Sequence, residues 1–167
     1  MAERLQYNYI FLIILFILTF FLFGSDLFSS QVIGSTYPDT DINYYIKLRE
    51  YAYHQNEYFP KWNIFNMCGV PFLGEIQSAV FYPLNLIFLI LPLYTAINIS
   101  IFMHVYLLSI CMYFFCRQIR ISENGSLIAA IVMTFCGPVI LRIFSGHLSN
   151  ISTIAWIPLV LLIIDRL

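Results

Sequence analysis

Long runs without charged residues dominate the hydrophobic and polar pattern of this chain. Three such runs contain no Asp, Glu, Lys or Arg. A helix that crosses the hydrocarbon core of a bilayer needs about 20 mostly apolar residues. The three runs therefore predict membrane-spanning helices near 7–24, 125–143 and 149–164.

A fourth and longer run ends near Phe115 and has room for one spanning helix or for two. Pro83 and Pro92 bracket a stretch that is too short to cross a bilayer comfortably, whereas 96–116 is long enough alone. We predict the second spanning helix at 96–116. Residues 81–93 are expected to lie at the membrane surface, or to dip into it without crossing.

The arginines near the helix ends indicate an orientation. Lys and Arg are enriched at the cytoplasmic ends of spanning helices and in short cytoplasmic loops. With four spans, Arg4, Arg117, Arg120 and Arg166 all fall on one side, which is predicted to be the cytoplasm. Arg142 is the exception, because it falls at the opposite end of the third span. A charged residue at membrane depth often has a function.

These patterns predict an all-α membrane protein with about four transmembrane helices and a long extracytoplasmic first loop that carries interfacial helices. Residues 1–24 are expected to form the first transmembrane helix. It is interpreted as an uncleaved anchor, because Leu22 is too large for a signal-peptide cleavage site. Residues 25–95 are expected to form the loop, and 96–167 three further transmembrane helices.

Composition agrees with a bilayer as the solvent of this chain. Hydrophobic residues make up 60% and charged residues 10%, whereas soluble chains carry roughly 25% charged residues. The net charge of −1 provides no basic field for nucleic acid, so membrane lipid is the expected partner. The four cysteines form no CxxC pair and are predicted to be small buried residues.

Residues 25–80 are polar and rich in aromatic side chains. Aromatic rings favour the membrane interface, where one end of the side chain is in an apolar medium and the other is wet. The loop is therefore either an interfacial belt or a platform on which sugar rings or lipid stack. Trp62 is a candidate for both roles. Glu75 is either a solvated loop charge or an additional acid for a site.

Asp39 and Asp41 stand at the start of a predicted helix in this loop, since apolar residues recur after them at helical spacing and Pro60 follows. Acids at a helix start cap free backbone N–H groups and interact favourably with the helix dipole. The alternative is a chemical role. A carboxylate at the membrane surface can deprotonate a sugar hydroxyl, or help to hold a divalent cation beside a lipid phosphate.

Three segments carry a resemblance to a known family. They read DTDINYY, PKWNIFNMCGVPFLGEIQSAVFYPLNLIFLILP and SGHLSNISTIAWIPLVLL. They resemble the opening part of the YfhO-like bacterial membrane proteins, a family that is similar to the GT-C superfamily of membrane glycosyltransferases. The resemblance covers most of the chain from about Tyr37 onward.

The resemblance implies an enzyme of the bacterial cytoplasmic membrane that uses a polyprenyl-phosphate-linked sugar for cell-envelope glycosylation. In GT-C enzymes an acid in the first outer loop is catalytic, as a base or with a metal, and Asp39 and Asp41 match that position. A divalent cation, Mg or Mn, is the implied cofactor. Because such proteins have more spans, this chain is expected to be an N-terminal part, with the C-terminal part of the same protein as a partner.

Arg142 and His147 are candidates for binding the phosphate of the donor. The planar guanidinium of Arg142 suits phosphate oxygens, and His147 can donate to the same phosphate or carry a proton. The alternative is that Arg142 extends to lipid headgroups and His147 is an ordinary loop residue. His104 lies within the second span, where a polar group is costly, and is expected to make a helix–helix hydrogen bond.

Two classes of function remain open from the sequence. The first is the membrane glycosyltransferase. The second is a non-catalytic membrane fragment, a scaffold or a transport-associated subunit. A transport path needs polar groups along the midplane of the spans, and these spans are nearly all apolar. The pattern therefore favours chemistry at the membrane interface over transport.

Overall fold

The computed structural model describes most of the chain, namely residues 2–29, 31–33, 61–64, 68–72, 74, 79 and 81–167. Four helical segments in this part are long and apolar enough to cross a membrane: Tyr9–Asp26, Leu93–Gln118, Glu123–Phe144 and Leu148–Arg166. The prediction of an all-α, multi-pass membrane protein is confirmed.

The described helices and strands follow one another in a simple order. The helices are α1 (Ala2–Phe23), α2 (Ile87–Ile90), α3 (Leu93–Gln118), α4 (Glu123–Thr134), α5 (Gly137–Phe144) and α6 (Leu148–Arg166). Short 3-10 turns occupy Gly24–Asp26 and Pro83–Leu86. Strands β1 (Trp62–Asn63) and β2 (Val70–Pro71) pair antiparallel, with Trp62 opposite Pro71.

The stretch before α3, which is predicted not to cross the membrane, contains only short helical pieces. Pro83 starts a 3-10 turn of four residues, α2 adds four more, and Leu91 is extended. Eight helical residues are too few for a bilayer that takes about 20. Pro92 is the N-cap of α3, which begins at Leu93, three residues before the predicted start, and ends at Gln118. At about 1.5 Å per residue, its 26 residues reach roughly 39 Å.

The third span is interrupted, which the predicted continuous helix at 125–143 did not include. α4 ends at Thr134 and α5 starts at Gly137, with Pro138 in its first turn. Proline has no N–H to donate to the carbonyl four residues earlier, and its ring clashes there. The helix therefore restarts at Cys136, whose carbonyl accepts from Val139 and Ile140 at 3.1 Å each.

α3 is the central helix, because it contacts α1, α4 and α6. Ile97, Ile101, Val105 and Leu108 recur at helical spacing, are almost completely buried and form the core with residues of α5 and α6. A smaller cluster joins Leu15, Tyr113 and Ala130, which lie on α1, α3 and α4. By contrast, α1 exposes many large apolar side chains, as expected of a helix surrounded by lipid.

The bundle has two distinct ends. At the loop end, α1 ends and α3 and α6 begin. At the arginine end, α3 finishes near Arg117, α4 starts and α6 finishes at Arg166. There the Arg117 guanidinium donates to the carbonyl of Ile121 at 2.8 Å and pairs with Glu123 at 3.3 Å.

A buried amide fastens the segment after α1 to the loop end. Asn98, on α3, is completely buried. Its Oδ1 accepts from the backbone N–H of Ile33 at 3.0 Å. Its Nδ2 donates to the carbonyls of Asp26 at 2.6 Å and Gln31 at 2.9 Å. These three bonds fix where the chain leaves α1 and enters the long loop.

Candidate functional site

The main described cavity lies at the loop end, between the first turns of α6, the α2 region and α3. It has a volume of about 270 Å³, which is slightly below the roughly 300–1,000 Å³ of typical ligand sites. We call it the loop-end cleft. Its polar lining comes from three parts of the chain: Ser149, Ser152, Thr153 and Trp156 on α6, Tyr82 and Asn85 before α2, and Ser100 on α3.

The α6 contribution is a stripe on one helical face. Ser149, Ser152, Thr153 and Trp156 follow the spacing i, i+3, i+4, i+7, which places side chains one above another on a helix. The Ser152 hydroxyl donates to the carbonyl of Leu148 at 2.9 Å, and the Thr153 hydroxyl to that of Ser149 at 2.8 Å. Because each hydroxyl hydrogen is used inside the helix, the two oxygens present lone pairs to a ligand.

Tyr82 connects the lining elements. Its hydroxyl oxygen lies 2.8 Å from Nε2 of His104 on α3, and it accepts from Nε1–H of Trp156 on α6 at 2.7 Å. The Tyr82 ring lies 5.5 Å from the His104 ring and meets the Trp156 indole edge-on at 6.5 Å. The Tyr82 phenol therefore joins the segment before α2 to α3 and to α6.

The hydrogen-bond partners of His104 determine its tautomer. Nδ1 lies 2.6 Å from the backbone carbonyl of Ser100, and a carbonyl oxygen can only accept, so Nδ1 carries the hydrogen. Nε2 of the neutral ring is then an acceptor, and the Tyr82 O–H donates to it. His104 is only 1% exposed, and a neutral ring with both nitrogens bonded avoids the cost of a buried charge.

The phenol of Tyr82 is protonated at neutral pH. Burial raises its pKa above the ordinary value of 10.0, and the hydrogen bond from Trp156 opposes the rise only in part. The chain of donors is therefore continuous near neutral pH: Trp156 donates to Tyr82, Tyr82 to His104, and His104 to the Ser100 carbonyl. This fixes the phenol oxygen as an acceptor at the cleft wall.

Three of the candidates from the sequence, Asp39, Asp41 and Glu75, lie outside the described residues. Their assignments as catalytic acids, possible metal ligands and an additional acid remain predictions. Within the described residues, no three His, Cys, Asp or Glu side chains come close enough to hold a metal ion.

Arg142 and His147 are brought within one turn of each other. Arg142 is exposed in the last turn of α5, and its carbonyl accepts from the backbone N–H of His147 at 3.1 Å. His147 is the N-cap residue of α6 and directly precedes Leu148, which lines the cleft. Arg142 also borders a crevice beside His104 that has no room for a water molecule.

Trp62 has a structural contact in addition to its predicted role at the interface. It lies in β1 and is 52% exposed. Its indole covers Gly69, where an added Cβ would collide with Nε1 of the ring, and Gly69 has φ +114°. The indole therefore packs on the turn of the β1–β2 hairpin while leaving half of its surface available to solvent or lipid.

The cleft was not predicted from the sequence, because the spans were taken as nearly all apolar. No role was predicted for Tyr82, Ser152, Thr153 or Trp156. His104 was expected to bond another helix, but its partner is Tyr82, in the segment before α2, and Trp156 on α6 is reached only through that phenol. The i, i+3, i+4, i+7 spacing of polar residues in α6 was the available signal.

Comparison with protein family models, with curated proteins and with solved structures found no significant match. Fold and site therefore define the class of this protein by themselves. It is a multi-pass helical membrane protein with a neutral, hydroxyl-lined cleft at one end of its bundle.

Proposed function

We propose that this chain is part of a membrane glycosyltransferase that takes a sugar from a polyprenyl-phosphate carrier for glycosylation of the bacterial cell envelope. The observation that carries the proposal is the loop-end cleft. Its hydroxyls and aromatic rings suit a sugar, and it lies at the end of the bundle from which the long aromatic loop emerges.

The arginine positions support an orientation with the loop end outside the cell. Arg117, Arg120 and Arg166 lie at the arginine end together with the N-terminus. The basic residues of the long loop are more than about 15–20 residues from a spanning helix, where the positive-inside rule gives them little weight. The loop, the cleft and lipid-linked sugars in the outer leaflet then share one side of the bacterial cytoplasmic membrane.

Exposed aromatic side chains support a position of the loop end at the membrane interface. Trp62, in β1 of the loop, is 52% exposed, and Tyr94, in the first turn of α3, is 38% exposed. Tryptophan and tyrosine rings favour the interface between hydrocarbon and water. A sugar that projects from a carrier in the bilayer reaches this depth, with its phosphate at the headgroup level.

The candidate residues have the following roles in this proposal, and those of Asp39 and Asp41 rest on the sequence. Asp39 and Asp41 provide the base that accepts the proton of the acceptor hydroxyl, and their carboxylates are the groups that would hold an Mg or Mn cation. Arg142 and His147, on the turn that leads into the cleft-lining helix, bind the carrier phosphate. The fork of N–H donors on an arginine matches phosphate oxygens in a way that a lysine does not.

The deciding experiment replaces the loop acids. Asp39→Asn and Asp41→Asn keep the ability to cap a helix but remove the charge, and general-base help is worth roughly 10²- to 10⁴-fold in rate. We expect a loss of that size in at least one variant when sugar transfer from a polyprenyl-phosphate donor is measured in proteoliposomes. Asp26→Asn is the matched control, since Asp26 is an acid that directly follows α1 at the start of the same predicted loop.

All variants must first insert and accumulate as the wild type does. Wild-type transfer rates in both acid variants would remove the catalytic assignment and favour a non-catalytic scaffold or transport-associated subunit. The phosphate role has its own measurement, crosslinking to a photoreactive polyprenyl-phosphate probe. Arg142→Lys should crosslink less than the wild type, and equal yields would mean that Arg142 only extends to lipid headgroups.

A further inference from the structure

The hydrogen-bonding capacity of the loop-end cleft identifies the kind of ligand that fits it. We infer that the cleft binds the uncharged ring of a single sugar headgroup, held mainly by hydrogen bonds that the sugar hydroxyls donate. The inference rests on the proposed function only for the polyprenyl carrier. The chemistry of ring binding is argued from the cleft itself.

Several hydrogen-bond donors of the cleft lining already have partners within the protein. The hydroxyl hydrogens of Ser152 and Thr153 bond carbonyls of α6. The indole N–H of Trp156 bonds Tyr82, and the phenol hydrogen of Tyr82 bonds His104. The Asn85 amide donates to the carbonyl of Ala79 at 2.9 Å. The remaining capacity on these groups is mainly lone pairs, so a complementary ligand brings its own donors.

The described lining residues carry no charge. An anion placed among them loses its hydration without meeting a cation, which is unfavourable. A phosphate is therefore disfavoured in the inner cleft and belongs near Arg142 and His147. Sugar hydroxyls, which are neutral and each supply one hydrogen, match the available acceptors.

The size and the preorganised lining of the cleft also suit a single sugar ring. The volume of about 270 Å³ suits one sugar ring rather than an oligosaccharide. Phe88 and Trp156 add apolar faces for the C–H side of a ring. His104 and Trp156 hold the Tyr82 hydroxyl before any ligand arrives, so its oxygen does not have to be reoriented when a ligand binds.

Trp156 makes binding directly measurable. The chain has two tryptophans, Trp62 and Trp156, so Trp62→Phe leaves the cleft indole as the single reporter. In lipid nanodiscs, monoglucosyl diacylglycerol and polyprenyl-phosphate glucose should each give a saturable change in Trp156 emission. Diacylglycerol, phosphatidic acid and sugar-free polyprenyl phosphate should not.

Two conservative variants test the acceptors. Thr153→Val and Ser152→Ala should each weaken binding roughly 2- to 12-fold, which corresponds to one neutral hydrogen bond. Thr134→Val is the matched control, because the Thr134 hydroxyl makes the same kind of bond, to Ala130 at 2.7 Å, on a helix that does not line the cleft. It should bind as the Trp62→Phe parent does.

The outcomes separate this inference from the proposed function. Equal responses to sugar-bearing and sugar-free lipids, or equal binding by Thr153→Val and Thr134→Val, would overturn the inference. Saturable binding of both glucosyl lipids supports it, even if the aspartate variants transfer sugar normally and the enzyme proposal fails. Binding of monoglucosyl diacylglycerol alone also supports a sugar site, but assigns it to a neutral glycolipid rather than to the carrier-linked donor.

Discussion

Replacing Asn98 should loosen the loop end more than any single hydroxyl deletion inside a helix. Asn98→Ala removes the partner of the buried Ile33 N–H and of the Asp26 and Gln31 carbonyls. Ile33 is only 6% exposed, so water does not readily replace the amide there. Gln31 is exposed, and its carbonyl can regain water.

The expected magnitude follows from these three bonds. A buried donor left without a partner costs about 1–3 kcal/mol, and an ordinary hydrogen bond contributes about 0.5–1.5 kcal/mol. Bonds in membrane proteins average nearer 0.6 kcal/mol. One buried N–H without a partner and two carbonyls that each lose one hydrogen bond therefore lower the free energy of unfolding by about 2–4 kcal/mol in Asn98→Ala.

Unfolding in mixed micelles with increasing SDS, followed by circular dichroism, measures this loss. Ser109→Ala is the matched control, because Ser109 is equally buried on α3 but bonds within its own helix, to Tyr106 at 2.7 Å. Its loss should be about 1 kcal/mol or less. The segment 27–33 should also be cut faster by protease in Asn98→Ala alone. Equal losses in the two variants would refute the reasoning that Asn98 fastens this segment.

Two further predictions concern the loop and its side of the membrane. Gly69→Ala should destabilise the β1–β2 hairpin by about 1–3 kcal/mol, because Gly69 has a positive φ. It should also shift Trp62 emission, because the added Cβ would collide with the indole. Gly74→Ala should have no effect, since the nearest atoms to its Cβ would lie at 3.7 Å. In single-cysteine variants, Cys68 should react with an impermeant thiol reagent in intact cells, since it is exposed and not buried as the sequence predicted. Asn124→Cys, exposed near the arginine end, should react only after permeabilisation, and the reverse pattern would invert the orientation.

Much of the architecture was readable from the sequence, because the transfer of a helix into lipid depends on its own residues. Charge-free runs predicted four spans, and the described part of the chain contains four helical segments long and apolar enough to be spans. The short stretch between Pro83 and Pro92 was predicted not to cross, and its helical pieces have four residues each. The interruption of the third span was missed, although Pro138 stood in the sequence. A proline alone does not decide the matter, since Pro158 lies inside α6 and does not end it.

The cleft was not readable in the same way, because it depends on which segments become neighbours. The Trp156–Tyr82 bond joins residues 74 positions apart, and the Tyr82–His104 bond joins residues 22 apart. Nothing in the local pattern of Tyr82 distinguishes a cleft acceptor from an interfacial ring. The polar face of α6 was visible, but its meaning required knowing that α3 and the α2 region lie opposite.

The buried polar residues of the described bundle divide into two kinds, and the division bears on function. The hydroxyls of Thr19, Ser109 and Thr134 donate to carbonyls of their own helices. Their hydrogen bonds therefore do not determine which segment packs beside them. Asn98 and His104 bond other segments of the chain, and both lie in the first half of α3. Because an unpaired polar group in an apolar interior is costly, such bonds tolerate few alternative arrangements. The arrangement of neighbouring segments is therefore most restricted at the loop end. There the acceptor oxygen of Tyr82 must be held in place before a ligand arrives.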